Sequence, residues 1–272
     1  MTRKRTNLVV ATAVGLAMSA ASASAAIIDL GFALDESGSV GSGNFTTTKN
    51  ALAAAIDNIP TGGDNQYRIA VVTFDSSAST IITPTIVTAA NKASLQTTIQ
   101  GISYNGGGTS IHAAVNRLTD LFTGMDGGLG ATTLFNIATD GASSASSLQS
   151  SVEAASDAGV DGISYEAIGS GAATGTLLSA CYAGTYTASS SPSPSCSLVE
   201  DVNNLPNATQ EGFVLKVGSF AGFADAIDKK VRQVVDDTGG GDGVIPLPAG
   251  LPLLLSALGL GGLVARRKRK AA

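Results

Sequence analysis

Five oxygen-bearing side chains in three separate segments have the types and spacing of a cation site. Three of them alternate along one turn, one follows a glycine-rich loop, and one ends an apolar run. They are Asp35, Ser37, Ser39, Thr109 and Asp140. Two carboxylates and three hydroxyls, completed by water, suit an octahedral Mg²⁺ that keeps an open position, with Mn²⁺ or Ca²⁺ as alternatives. A second interpretation is structural, because Ser and Asp also cap helices and form tight turns.

Apolar runs that alternate with segments of helical period must position these side chains. This pattern is typical of an α/β domain with a mainly parallel sheet. The segment 80–86 contains Pro84, which lacks a ladder donor, so we expect it at a sheet edge. The predicted strands are 27–34, 67–74, 80–86, 133–138, 163–168 and 213–217. Ligands of such sheets collect at the carboxyl ends of the strands, where Asp35 and Asp140 are expected to meet.

At these residues the chain resembles the von Willebrand factor A domains. The family's metal-ion-dependent adhesion site combines Asp-x-Ser-x-Ser, a Thr after a Gly-rich loop, and an Asp commonly followed by Gly. The resemblance covers about 26–236 and implies one doubly wound, Rossmann-like α/β domain, with helices on both faces and one antiparallel edge strand. It implies that Ser37, Ser39 and Thr109 touch the ion directly, that Asp35 and Asp140 hold it directly or through water, and that an acidic group of a partner fills the open position.

Two features depart from the family pattern. Glu36 adds a negative charge within the first motif. The segment 181–196 reads as an insertion between the last two predicted strands, closed by a disulfide between Cys181 and Cys196, which are the two cysteines of the chain. Export to an oxidising compartment favours this bridge over a catalytic thiol, and closing such a loop contributes about 3 kcal/mol in the chain-entropy estimate.

Both ends of the chain carry targeting patterns. Residues 1–25 combine a basic start, a short apolar run and a small-residue cleavage site, which indicates a secretory signal peptide rather than a membrane anchor. A Gly/Asp linker at 237–244 leads to 245–272, which resembles the sorting tails of the PEP-CTERM class: Pro-Leu-Pro-Ala, an apolar transmembrane helix and a basic end. That resemblance implies cleavage by an exosortase-type enzyme. An ordinary C-terminal anchor is the alternative.

The exported part of the chain is strongly acidic. Of the 16 basic residues, three lie in the predicted signal peptide and five in the basic end, whereas all 21 acidic residues lie between, which leaves a formal net charge of −13. Such a surface repels nucleic acid and anionic polymers, so we expect no nucleic-acid partner.

The sequence therefore predicts an exported, non-enzymatic adhesion protein of the cell surface or extracellular matrix, which binds an acidic protein or polysaccharide through a cation. One alternative is a structural matrix component whose metal only stabilises the fold. Another is a metal-assisted hydrolase with Glu36 as the base. A triad at His112 lacks a Gly-x-Ser-x-Gly motif, and a nucleotide loop at 169–175 lacks the usual spacing and acidic partner.

Overall fold

The computed structural model describes residues 25–187 and 196–239. In chain order the strands are Ala26–Asp35 (β1), Asn65–Phe74 (β2), Ala78–Ile86 (β3), Thr132–Thr139 (β4), Gly162–Ile168 (β5), Tyr182–Ala183 (β6), Cys196–Val199 (β7) and Gly212–Val217 (β8). The helices are Gly41–Ala55 (α1), Lys92–Gln100 (α2), Ile111–Thr123 (α3), Ala145–Asp157 (α4), Thr174–Leu178 (α5) and Phe220–Asp237 (α6). The six strands predicted from the sequence are confirmed to within two residues at either end.

The strands form one sheet in the order β3-β2-β1-β4-β5-β8-β7. Every pair along this path is parallel except β2 with β3, which is antiparallel as the family resemblance implied and lies at the edge as Pro84 indicated. From β1 the chain moves outward to β2 and β3 and then returns to β4 on the other side of β1. The strand order therefore reverses between β1 and β4, and a crevice opens beyond their carboxyl ends.

Helices cover both faces of the sheet, as predicted. The core on one face includes Phe45 of α1 and Phe223 of α6, and the core on the other includes Leu118 of α3 and Leu148 of α4. The central strands bury side chains on both faces, which explains their continuous apolar runs. Gly31 is required in β1 because a Cβ there would lie 2.7 Å from the ring of Phe135 in β4.

The structure adds two short strands that the sequence did not predict. Tyr182–Ala183 pairs with β5 in antiparallel orientation, and Cys196–Val199 forms a parallel edge strand beside β8. Cys181 and Cys196 form the predicted disulfide, with their Cα atoms 5.6 Å apart. The bridge ties the start of β7 to the residue just before β6, so the predicted insertion contributes a short strand to the sheet near each of its ends. Residues 188–195 lie outside the described residues.

The two chain ends of the described domain lie at the amino ends of the strands. Ala26 pairs with Asn65 in the register of β1 and β2, and the Asn65 side chain donates a hydrogen bond of 2.5 Å to the carbonyl of Thr238 after α6. The predicted signal peptide (apart from its last residue), most of the linker and the whole C-terminal tail fall outside the described residues. Within the part that is described, no helix is long and apolar enough to cross a membrane.

Candidate metal centre

The structure brings the three predicted segments together at the crevice between β1 and β4. Asp35 is the last residue of β1 and Asp140 follows β4 directly. The hydroxyl of Ser39 donates a hydrogen bond of 2.8 Å to Oδ1 of Asp140, across 101 residues of sequence. Ser37 Oγ lies 3.1 Å from Ser39 Oγ. A continuous polar chain therefore joins the first and third motifs.

Asp35 is held firmly and is almost fully buried, with 3% of its surface exposed. Its Oδ1 accepts a hydrogen bond from the backbone N–H of Ser37 at 2.8 Å, and its Oδ2 accepts one from the hydroxyl of Thr139 at 2.6 Å. Burial raises the pKa of Asp35, the hydrogen bonds from Ser37 and Thr139 oppose this, and the charge of Asp140 raises the pKa further. The buried carboxylate of Asp35 thus lies near the half-buried carboxylate of Asp140, and a cation between them would stabilise both in their charged form.

The glycine-rich loop delivers Thr109 to the same place. Gly106 and Gly107 have φ values of 80° and 124°, which other residues rarely adopt. The N–H of Gly38 donates to the carbonyl of Gly107 at 2.9 Å, so the loop is fixed on the first motif. Thr109 itself contacts Gly141, because a Cβ at Gly141 would lie 2.9 Å from both Oγ1 and Cγ2 of Thr109. The glycine after Asp140 therefore provides the space that Thr109 occupies.

A second layer of residues supports this loop, and it was not predicted from the sequence. Asp75 follows β2 and accepts a hydrogen bond of 2.8 Å from the side chain of Asn105. The hydroxyl of Ser76 accepts one of 2.9 Å from the N–H of Gly108. The sequence does contain a signal for this second layer, because Asp75-Ser-Ser follows a buried strand just as Asp35-Glu-Ser does. Thr139, which holds Asp35, was likewise assigned only as part of a strand end.

Glu36 faces a different part of the structure from the other site residues. Its backbone N–H donates to the carbonyl of Phe74, at 2.8 Å. Burial raises the pKa of Glu36, and hydrogen bonds from the Thr73 side chain and the Asn105 backbone oppose the increase. The hydrogen bonds of Glu36 are thus with β2 and the loop before Thr109, whereas the carboxylate of Asp35 is bonded by Ser37 in the same turn and by Thr139 of β4.

The two weaker motifs lie beside the site. Ser110 Oγ and Ser143 Oγ each lie 3.3 Å from a ring nitrogen of His112, so its partners in the described residues are hydroxyls. The segment 169–175 packs against the third motif, because a Cβ at Gly171 would lie 2.8 Å from the carbonyl oxygen of Asp140. This close approach accounts for a glycine there without a nucleotide.

The donor set fits a hard divalent cation. Its two carboxylates and three hydroxyls are oxygen ligands, which Mg²⁺ and Ca²⁺ prefer. Within 25–187 and 196–239 no group of three or more His, Cys, Asp or Glu residues could hold a metal ion, so a site rich in imidazole or thiolate is absent from that part of the chain.

The fold and the site together define a class of protein: a Rossmann-like α/β domain with an oxygen-rich polar centre at its topological switch point. The profile of the von Willebrand factor type A domain matches residues 29–211, more than half of the chain. The chain belongs to this family.

Several solved structures are similar to this chain, and the two of a mussel protein share its fold. Proximal thread matrix protein 1 from the mussel byssus is 19% identical, with a TM-score of 0.54 over 76% of this chain and 46% of that one. A second structure of that protein, described as having a zinc-occupied metal-ion-dependent adhesion site motif, has 19% identity, a TM-score of 0.53 and the same coverage. BatB from Bacteroides thetaiotaomicron is 16% identical, with a TM-score of 0.49 over 78% of this chain and 98% of that one.

This chain spans just under half the length of the mussel protein structures. No curated protein matches the chain.

Proposed function

We propose that this protein is a non-enzymatic, exported binding module that holds a divalent cation and uses it to bind an acidic group on a protein or polysaccharide. The ligands are the five residues Asp35, Ser37, Ser39, Thr109 and Asp140. Mg²⁺ is the preferred ion because hydroxyl and carboxylate oxygens, with some retained water, suit it. The zinc-occupied motif of the mussel protein adds Zn²⁺ to the ions worth testing.

The observation that carries the proposal is the hydrogen-bonded chain from Asp35 through Ser37 and Ser39 to Asp140. It places two carboxylates of an acidic domain at the crevice where ligands of such sheets bind. A bound cation supplies positive charge and an open coordination position to a partner's carboxylate. Without it, the exported part of the chain, with a formal net charge of −13, would repel such a partner.

Calorimetry with Mg²⁺, Mn²⁺, Ca²⁺ and Zn²⁺ tests the ion site. We expect Asp140→Ala and Ser39→Ala to weaken binding of the preferred ion strongly. Asp64→Ala is the matched control, since Asp64 is an exposed carboxylate that is absent from these hydrogen bonds. Binding by Asp140→Ala equal to that of the unsubstituted protein would remove the site from the proposal.

The partner is tested separately with immobilised acidic polysaccharides and acidic peptides, with and without EDTA. Retention that EDTA abolishes and that Asp140→Ala lacks supports cation-bridged adhesion. The name of the mussel protein favours a second candidate, a structural matrix component in which the ion only stabilises the fold. Assembly that is insensitive to EDTA, together with a melting temperature that depends on metal, would favour that candidate.

Delivery to the surface follows from the predicted signal peptide and C-terminal tail. We propose that residues 1–25 direct export and that residues 245–272 anchor the protein until an exosortase-type enzyme cleaves the tail. Mass spectrometry of both ends of the mature protein from its producing cell measures this directly. A mature protein that still carries the basic end 266–270 would contradict cleavage.

A further inference from the structure

A second polar cluster lies in the core, on the face of the sheet that α6 covers. It consists of Asn136 in β4, Glu166 in β5 and Lys230 in α6. Glu166 is 0% exposed and Lys230 is 3% exposed, and Asn136 is also buried. Burial of ionisable groups at this depth is costly even when they are paired, so the cluster calls for a physical explanation.

Both neighbours contact the same carboxylate, one on each oxygen. Lys230 Nζ lies 2.8 Å from Oε1 of Glu166. The amide Nδ2 of Asn136 donates a hydrogen bond of 2.9 Å to Oε2. Because the two oxygens share one carbon atom, the amine and the carboxamide are held as neighbours on either side of Glu166.

Each of the three side chains has a buried polar atom whose hydrogen-bonding capacity is not met. Asn136 Oδ1, Glu166 Oε1 and Lys230 Nζ are buried in the described domain without a well-formed hydrogen bond, a condition that is rare in folded proteins. Lys230 Nζ also lies 4.7 Å from the centroid of the Phe213 ring, so its surroundings are largely apolar.

We propose that Lys230 and Asn136 become joined by an intramolecular amide bond, with release of ammonia and with Glu166 as the proton-transfer group. Glu166 contacts both reacting side chains, at 2.8 Å from Nζ of Lys230 and 2.9 Å from Nδ2 of Asn136, so one carboxylate is in reach of the nucleophile and of the leaving group. Burial lowers the pKa of Lys230, against the opposing negative charge of Glu166. A desolvated neutral lysine amine is a competent nucleophile, and its fixed position next to the carboxamide removes the entropic cost of bringing the two together.

The step balances without any further reactant. Nζ of Lys230 forms a bond to Cγ of Asn136, and the carboxylate of Glu166 accepts the proton that the nitrogen loses. Glu166 then returns a proton to Nδ2, the bond from Cγ to Nδ2 breaks, and ammonia leaves. One amine and one carboxamide become one amide and one ammonia, with no oxidation or reduction and with Glu166 restored.

The surrounding space suits this chemistry. A cavity of about 30 Å³ has Asn136, Lys230, Ser164 and Tyr182 in its lining, which is enough room for a water molecule or for departing ammonia. The product would fix α6, the last helix of the described domain, to β4 at the centre of the sheet. The bond would therefore secure the helix that leads toward the C-terminal end of the exported chain.

The test is the intact mass of the purified exported protein under denaturing conditions, with its disulfide retained and its mature ends determined. We expect a mass lower than the sequence requires by one ammonia. Proteolysis should give a branched peptide that joins the segment around Asn136 to the segment around Lys230. Glu166→Gln and Lys230→Met should each restore the full mass, and the denatured measurement reports this even if a variant folds poorly.

Lys229→Met is the matched control, because Lys229 is the adjacent lysine of α6 but forms an exposed ion pair with Asp225. This variant should keep the deficit of one ammonia. A full mass in the unsubstituted protein would overturn the proposal, as would a deficit that survives Lys230→Met. A deficit confined to one unbranched peptide at Asn136 would indicate a succinimide and would also overturn it. A deficit that survives Glu166→Gln would overturn the role of Glu166.

Discussion

Replacing Thr139 by Val tests whether its hydrogen bond to Asp35 keeps that buried carboxylate ionised for cation binding. The Thr139 hydroxyl donates to Asp35 Oδ2 at 2.6 Å, and Asp35 is buried. Valine keeps the shape of the side chain and removes this donor. Without it, ionised Asp35 is less well stabilised, so its pKa rises further and metal must compete with a proton.

The size of the effect follows from the strength of one hydrogen bond to a charged group, about 1.5–3 kcal/mol. Each 1.4 kcal/mol corresponds to about tenfold in affinity, so Thr139→Val should weaken binding of the preferred ion by roughly 10- to 100-fold. This agrees with the typical effect of removing a group that orients a metal ligand. Calorimetric titration at neutral pH and at mildly acidic pH should show the larger loss in acid.

Thr133→Val is the control because it makes the same change near the start of the same strand. The Thr133 hydroxyl donates to Asp29, another buried carboxylate of β1, at 3.2 Å. Thr133→Val should lower the free energy of unfolding and leave the affinity for the ion unchanged. The reasoning is refuted if Thr139→Val binds the ion normally at both pH values, or if Thr133→Val weakens binding equally.

Three further predictions concern the glycine after the third motif, a buried ion pair and the effect of pH. Gly141→Ala should displace Thr109, because the new Cβ would lie 2.9 Å from Oγ1 of Thr109. The affinity for the ion should fall while circular dichroism shows an intact fold. Unchanged affinity would count against a role for Thr109 in binding the ion. Arg68 donates hydrogen bonds to both carboxylate oxygens of buried Asp29, at 2.6 and 2.7 Å. Arg68→Met should therefore reduce the free energy of unfolding, measured in urea, by about 3–5 kcal/mol. A loss below about 1 kcal/mol would contradict the importance of this ion pair. Burial raises the pKa of Asp35 above 3.8, so in EDTA the contribution of Asp35 to stability is present below pH 3.8 and is lost as the pH rises through the folded-state pKa. The melting temperature of Asp35→Asn should therefore rise relative to that of the unsubstituted protein over this pH range, and this advantage should disappear in Mg²⁺. A melting-temperature difference in EDTA that does not change with pH would contradict the prediction.

Local sequence was sufficient for the parts of the fold and site that depend on strand ends. Asp35 and Asp140 follow apolar runs, and parallel packing brings the carboxyl ends of such runs to one edge. The edge strand β3 was recognisable because Pro84 cannot donate within a ladder. The structure places all of these as the sequence indicated.

Features that depend on contacts between distant segments were not accessible in this way. The edge strand β7 is only four residues long, and its Leu198 is 43% exposed, so it lacks the buried apolar pattern that identifies a strand. The cluster of Asn136, Glu166 and Lys230 draws one residue from each of three elements, and each residue alone reads as an ordinary polar position. Only the register of β4 and β5 and the packing of α6 bring them together.

Ala26 pairs with Asn65, and Asn65 is hydrogen-bonded to Thr238, so both chain ends of the described domain lie at the same end of the sheet. Both points at which the chain enters and leaves the described domain are at the end of the sheet opposite to Asp35. The ten residues of β1 separate the two ends, which is about 30 Å at the rise of a strand. A domain held through either end would therefore present the proposed cation centre one full sheet length away from its attachment.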